Sequence, residues 1–247
     1  MNNFIINNNK GRIEFLDNRF YLTEDGGYVP SVTTILEAYP KDAAYFKWIK
    51  DVGADADAIR DEAGRRASVV HQLTEDYDAG HEVTFIGQDG PKYKMLEWAM
   101  FERYVDFSVT HNPTHHIIEG NYISKALGYA GTIDRVCDIN GKRTLMDIKT
   151  SNSIYPSYWL QLAAYGSLLT EAKVHFDQVA ILWLNAKTRT TGKNGAIQGI
   201  GWQLVIKDTY EDVKKDFEMF QSTMMLWNAL NEDVKPKMIS YQLKHKK

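Results

Sequence analysis

The sequence predicts one α/β domain of α+β-like character, with a mixed central sheet and helical decoration on its N-terminal side. Three observations predict it. Helix-period apolar spacing dominates up to His111, strand-like segments take over after Pro113, and a helical run separates the third of these from the fourth. At 247 residues the chain can bury a large core, and no repeat or low-complexity linker marks a second domain. Its parts are an N-terminal hairpin (1–30), a helical wall or arch (31–111), a sheet with a crossover helix (112–207), and a closing helix with a basic tail (208–247).

The elements follow in order. Residues 11–29 alternate around Asp17-Asn18 and end in Asp25-Gly26-Gly27, a hairpin pattern. Ser31 is placed to cap a helix over Val32–Tyr39, which Pro40 stops. A second helix fits Asp42–Asp51. A long one fits Ala54–Asp78, where Ile59, Ala63, Ala67, Val70, Leu73 and Tyr77 recur at three- and four-residue steps. Gly64 inside it costs about 1 kcal/mol relative to Ala. Another helix fits Tyr93–Val109. Strands are expected at His116–Glu119, Gly131–Ile139, Arg143–Lys149, Val179–Leu184 and Ile200–Ile206, with Asn140-Gly141 as a hairpin turn. Pro156 opens the crossover helix to Leu169, and a last amphipathic helix covers Thr209–Leu230.

Composition describes an ordinary soluble protein, with 44% hydrophobic and 25% charged residues. No apolar run approaches the roughly 20 residues that span a bilayer, so no membrane partner is expected. The first residues lack the basic start of a secretory signal and the arginines of a transit peptide, so the expected compartment is the cytoplasm. The single cysteine, Cys137, excludes an internal disulfide and a four-cysteine zinc or iron–sulfur site. A net charge of −3 means that nucleic acid would need a local basic channel. Arg60, Arg65, Arg66, the loop Lys187–Lys193 and the tail Lys244–Lys247 are its candidates, each otherwise a solvated charge.

The chemistry-bearing residues lie mainly between Gly128 and Tyr165. Alternate side chains of a strand share a face, so Asp147 and Lys149 point the same way, and Met146 and Ile148 serve the opposite, buried side. Asp134 and Asp147 each lie six residues from the turn positions Asn140 and Gly141, which makes them neighbours across the hairpin. Two oxygen ligands beside one ammonium suit a Mg²⁺ or Mn²⁺ ion and a phosphate. The alternative is a cross-strand salt bridge to Arg135 or Lys149. Gln161 and Tyr165 share a helix face at i, i+4, although Tyr158, Trp159, Leu162 and Leu169 also make a core stripe there. Tyr39, Tyr45, Phe46 and Trp48 suit either a core cluster or stacking on unpaired bases.

Taken in order, these motifs resemble the PD-(D/E)xK nuclease superfamily, in its RecB-like exonuclease branch. Gly131-Thr132-Ile133-Asp134 is similar to the first acidic motif, with Ile133 where the eponymous proline would stand. Asp147-Ile148-Lys149 is similar to the (D/E)xK element, and Gln161 with Tyr165 to the QxxxY element of that branch. Upstream, Gly64 to His71 resembles its glycine–histidine helix, and Pro30 to Leu36 the entry segment of phage-type and mitochondrial-type exonucleases. The resemblance implies an αβββαβ, restriction-endonuclease-like core and hydrolysis of phosphodiester bonds to 5′-phosphate and 3′-hydroxyl ends. It implies Asp134, Asp147 and Lys149 as catalytic, with His71, Asp134, Asp147 and the Ile148 carbonyl as ligands of Mg²⁺ or Mn²⁺. Gln161, Tyr165, Thr150, Arg65 and Arg66 would support DNA or the site, and Glu75 and Glu119 are further acids within its reach. Imidazole suits softer ions than Mg²⁺, so Mn²⁺ is expected to serve at least as well. The expected partner is DNA, as single strands or free ends, together with a recombination or annealing protein in a bacterial or phage-infected cell. A restriction- or repair-type endonuclease and an inactive nucleic-acid-binding module are the rival readings, and RNA stays open as a substrate.

Overall fold

A computed structural model describes residues 12–15, 18–185, 201–232, 234 and 236. The basic loop 187–193 and tail 244–247 lie outside them. The N-terminal hairpin has a third strand: β1 (Arg12–Phe15), β2 (Asn18–Leu22) and β3 (Tyr28–Pro30) form an antiparallel sheet. Ser31 caps the next helix by accepting the Thr34 N–H at 3.0 Å. That helix, α1 (Val32–Ile35), is shorter than expected and tightens into a 3₁₀ turn over Leu36–Ala38. Consecutive β-branched residues and the following Pro40 disfavour a longer one.

Helices α2 (Ala43–Val52), α3 (Ala56–Asp78) and α4 (Met95–His111) follow, with a small hairpin of β4 (Ile86–Gly87) and β5 (Gly90–Pro91) that has no strand-like run in the sequence. Glu97 accepts the Lys94 N–H at 2.8 Å and so fixes the start of α4. Helix α2 buries none of its residues, so Tyr45, Phe46 and Trp48 are not core.

The main sheet has the order β10-β9-β8-β7-β6. Strands β6 (Thr114–Ser124), β7 (Tyr129–Ile139) and β8 (Lys142–Lys149) are antiparallel neighbours. Asn140 (φ 50°) and Gly141 (φ 79°) both take the left-handed backbone that the two-residue turn between β7 and β8 requires. Helix α5 (Pro156–Glu171) then crosses over to β9 (Gln178–Trp183), which lies parallel to β8. Strand β10 (Gln203–Lys207) pairs antiparallel with β9, and α6 (Tyr210–Leu230) closes the fold. The result is a single-domain α+β fold with a mixed five-stranded sheet.

Helices cover both faces of that sheet. Leu145, Val179 and Ile181 pack with Val32 and Ile35 of α1, Leu162 and Leu169 of α5 and Phe220 of α6. Met146, Ile148, Ala180 and Leu182 pack on the other side with Val70 of α3 and Met100, Tyr104 and Phe107 of α4. Cys137 lies fully buried in this second core, and its thiol is pushed up to about 12 by that burial. The expectation that only the Met146/Ile148 side of β8 is buried is corrected: Asp147 on the opposite face is 1% exposed. Residues of a parallel pair covered on both faces are buried on both.

Candidate metal centre

The site forms where the ladder between β7 and β8 ends. Its last pair is Arg135↔Met146. One step further Asp134 would face Asp147, but here the Asp134 carboxylate accepts the Ile148 N–H at 2.8 Å in place of a backbone carbonyl. The Ile148 carbonyl is instead met by Nε2 of His71 at 3.1 Å, from the middle of α3.

On the other side of β7 the pairs Ile118↔Arg135 and Gly120↔Ile133 flank Glu119 and Asp134, which stand opposite each other. Glu119 takes a left-handed φ of 48°, at a cost of about 1–2 kcal/mol for a residue with a Cβ. Three acids thus lie in one row across β6, β7 and β8. Like charges directly opposite on a sheet repel, so the row calls for a cation. One neighbouring positive charge is His71, whose Nδ1 lies 3.4 Å from Glu119 Oε1 and 3.7 Å from Asp134 Oδ2, and Arg135 also lies 3.4 Å from Glu119 Oε1.

Asp147 and Lys149 meet α5. Lys149 Nζ lies 2.6 Å from Asp147 Oδ2 and donates to Gln161 Oε1 at 2.9 Å. Gln161 Nε2 donates to Asp147 Oδ1 and to the Tyr165 hydroxyl, each at 3.0 Å. The ammonium offsets the charge of the buried Asp147 carboxylate. The Lys149 ammonium also lies 4.4 Å from the centre of the Tyr158 ring. Tyr165 packs where a side chain at Gly131 would stand.

Charge states follow from this crowding. Burial, and then the neighbouring Asp134 carboxylate, push Asp147 up to about 6, against the pull of Lys149. Asp134 is raised too, first by burial and then by Glu119. Burial opposes charge on His71, but Asp134 and Glu119 outweigh it and lift the imidazole to about 9. Lys149 is likewise lifted against its burial by Asp147 and Asp134. Protonated His71 therefore stands in for a positive ion among the acids.

The residues fit a divalent cation. His71, Glu119 and Asp134 each offer a ligand atom within 4.8 Å of the others, so this group can hold a metal ion. Asp147 adds a further buried carboxylate beside this group, held by Lys149 and Gln161. Carboxylate oxygens and a neutral imidazole are ordinary ligands of divalent cations. With one cysteine in the chain, an iron–sulfur cluster is excluded.

The other expected residues are distributed unevenly. Glu119 belongs to the acid row, while Glu75 is half-buried one turn beyond His71 on α3 and is not in the ligand group. Arg65 forks onto Glu62 at 2.9 and 2.8 Å and also binds buried Glu97. These contacts tie it to its own helix and to α4. Arg66, Thr150 and Lys149 line a cavity of about 260 Å³ beside His71. Arg135, the alternative partner for the acids, pairs with Asp78 at 2.7 Å and also reaches Glu119 Oε1 at 3.4 Å. Glu119 was the acid least marked in the sequence, because no motif pairs it with Asp134 and it takes a left-handed backbone inside its strand.

No protein-family model and no curated protein matches the chain.

Proposed function

We propose that this protein is a metal-dependent deoxyribonuclease that hydrolyses phosphodiester bonds at single strands or free ends, leaving a 5′-phosphate and a 3′-hydroxyl. One observation carries the proposal: Glu119, Asp134 and Asp147 stand in a row across three strands, with Lys149 against the last of them. The ordered likeness to PD-(D/E)xK nucleases supports it.

His71, Glu119, Asp134, Asp147 and the Ile148 carbonyl would hold Mg²⁺ or Mn²⁺. Such an ion supplies Lewis-acid polarisation of the phosphate and lowers the pKa of water. In the net reaction water adds to phosphorus, the bond from phosphorus to the 3′ oxygen breaks, and that oxygen leaves with a proton. Lys149 keeps its own proton in the metal-free protein, so its part is to orient water and steady charge that develops on the phosphate oxygens. Gln161 holds Asp147 and Lys149 in fixed relation, and Tyr165 braces Gln161.

The test is digestion of end-labelled linear DNA, single- and double-stranded, in Mg²⁺, Mn²⁺ or EDTA, with Asp147→Ala alongside. Release of short products with either metal, at least as fast in Mn²⁺, is expected. EDTA and Asp147→Ala abolish the products while the variant still binds DNA. No product from any substrate in either metal, or full activity of Asp147→Ala, would sink the proposal.

A further inference from the structure

The cavity of about 260 Å³ is walled by Ala63, Arg66, Ala67 and His71 of α3, and by Ile148 to Ser151 with Tyr158 across from them. Three of its residues are cationic, and two of these have their charge matched: His71 by Glu119 and Asp134, Lys149 by Asp147. Arg66 is different. Its Nε is shielded from solvent with no hydrogen-bond partner, and among the described residues its guanidinium makes no ion pair. Arg65, the next residue, is by contrast fully engaged by Glu62 and Glu97.

A desolvated guanidinium donor without an acceptor is unfavourable unless a ligand completes it. Its planar fork matches the oxygens of a phosphate group and takes them two at a time. The same cavity brings the Lys149 ammonium to its wall and is bordered by the Thr150 and Ser151 segment. We propose that this cavity seats a phosphate group of the bound strand, adjacent to the acid row, and that Arg66 is the residue that recognises it. The inference rests on the nuclease reading above and deepens it. It assigns the α3 wall to holding a phosphate next to the one attacked, so that Arg66 fixes how far the strand enters before a bond is cut. The phosphate is either the phosphomonoester of a chain end or an internal phosphodiester.

Labelled single-stranded oligonucleotides of one sequence, carrying a 5′-phosphate, a 3′-phosphate or neither, are titrated in EDTA against wild type, Arg66→Gln and Arg66→Lys. Salt is varied, and thermal unfolding checks that each variant is folded. Arg66→Gln is expected to weaken binding about tenfold or more and to lower the slope of log affinity against log salt by about one. Arg66→Lys recovers part of the loss, because it keeps the charge without the fork. A loss confined to one phosphorylated oligonucleotide assigns the seat to that chain end, and an equal loss on all three assigns it to an internal phosphodiester. A folded Arg66→Gln with unchanged affinity and slope overturns the inference. If wild type still binds and cuts DNA in that case, the nuclease reading survives alone. If wild type binds none of the oligonucleotides and cuts none, both fall. Should Arg66→Gln fail to fold, a folded Arg66→Lys with unchanged affinity overturns the inference equally, because it keeps the charge but lacks the fork.

Discussion

Gly131 is small because Tyr165 needs the room. A Cβ at that position would overlap the Tyr165 ring, which is 4% exposed and cannot swing aside into solvent. Gly131→Ala therefore displaces the ring whose hydroxyl holds Gln161, and Gln161 in turn holds Asp147 and Lys149. Overpacking of this kind costs about 1–3 kcal/mol, read as a lower unfolding midpoint in urea. On the proposed nuclease reading the rate of DNA cleavage falls with it, and more than the stability loss alone accounts for at a temperature where the variant is folded. An Ala variant as fast and as stable as wild type would refute the link. At this scale much of the site was legible, because Asp134, Asp147, Lys149, Gln161 and Tyr165 are marked by spacing along one strand, one hairpin and one helix. Glu119 was weakly marked, since it takes a left-handed backbone angle within its strand. Arg65 and Arg66 were indistinguishable, because adjacent helix positions point about 100° apart and only packing decides which one meets the cavity.

Helix α3 is held to the sheet by a buried network as well as by apolar contacts. Arg135 of β7 is fully buried and pairs with Asp78 at the end of α3, while its NH2 donates to Thr74 at 3.1 Å. Tyr104 of α4 donates to the same Asp78 carboxylate, and His115 of β6 lies 3.4 Å away. Asp78→Asn leaves the Arg135 charge short of its partner, and breaking a buried pair costs about 3–5 kcal/mol. Chemical denaturation of the two proteins at neutral pH measures it, and a loss under about 1 kcal/mol would contradict the network's importance. The pH dependence has a definite sign. Burial raises the Asp78 pKa, but His115, Arg135 and Tyr104 together bring it below the ordinary carboxylate value. Its stabilisation is thus present above the unfolded pKa of about 3.9 and is lost as pH falls through the lower folded pKa. The stability gap between wild type and Asp78→Asn should accordingly narrow on acidification below about pH 4. The periodicity of α3 was legible in the sequence. The double cover of β8 was not, because a short apolar strand reads alike whether one face or both is packed.

For the whole molecule, the element order of helices, three antiparallel strands, crossover helix and parallel strand was legible, since turn residues and changes of period punctuate it. The three-residue strand β3 and the two-residue strands β4 and β5 were not, being too short to carry a period. If the segment 31–111 acts as a wall past which a strand is threaded, free ends matter. Circular single-stranded DNA should then be degraded at least tenfold more slowly than the same DNA linearised, and equal rates would point to an endonuclease instead. The aromatic helix α2, with Phe46 55% exposed, is the natural place to watch a strand pass. The burial of Cys137 makes that practical. Its thiol stays protonated and out of reach at neutral pH, so a cysteine introduced by Phe46→Cys can be tagged with a maleimide dye without first removing the native sulfur. The folded protein thereby offers a background-free handle for testing whether a DNA strand meets this helix.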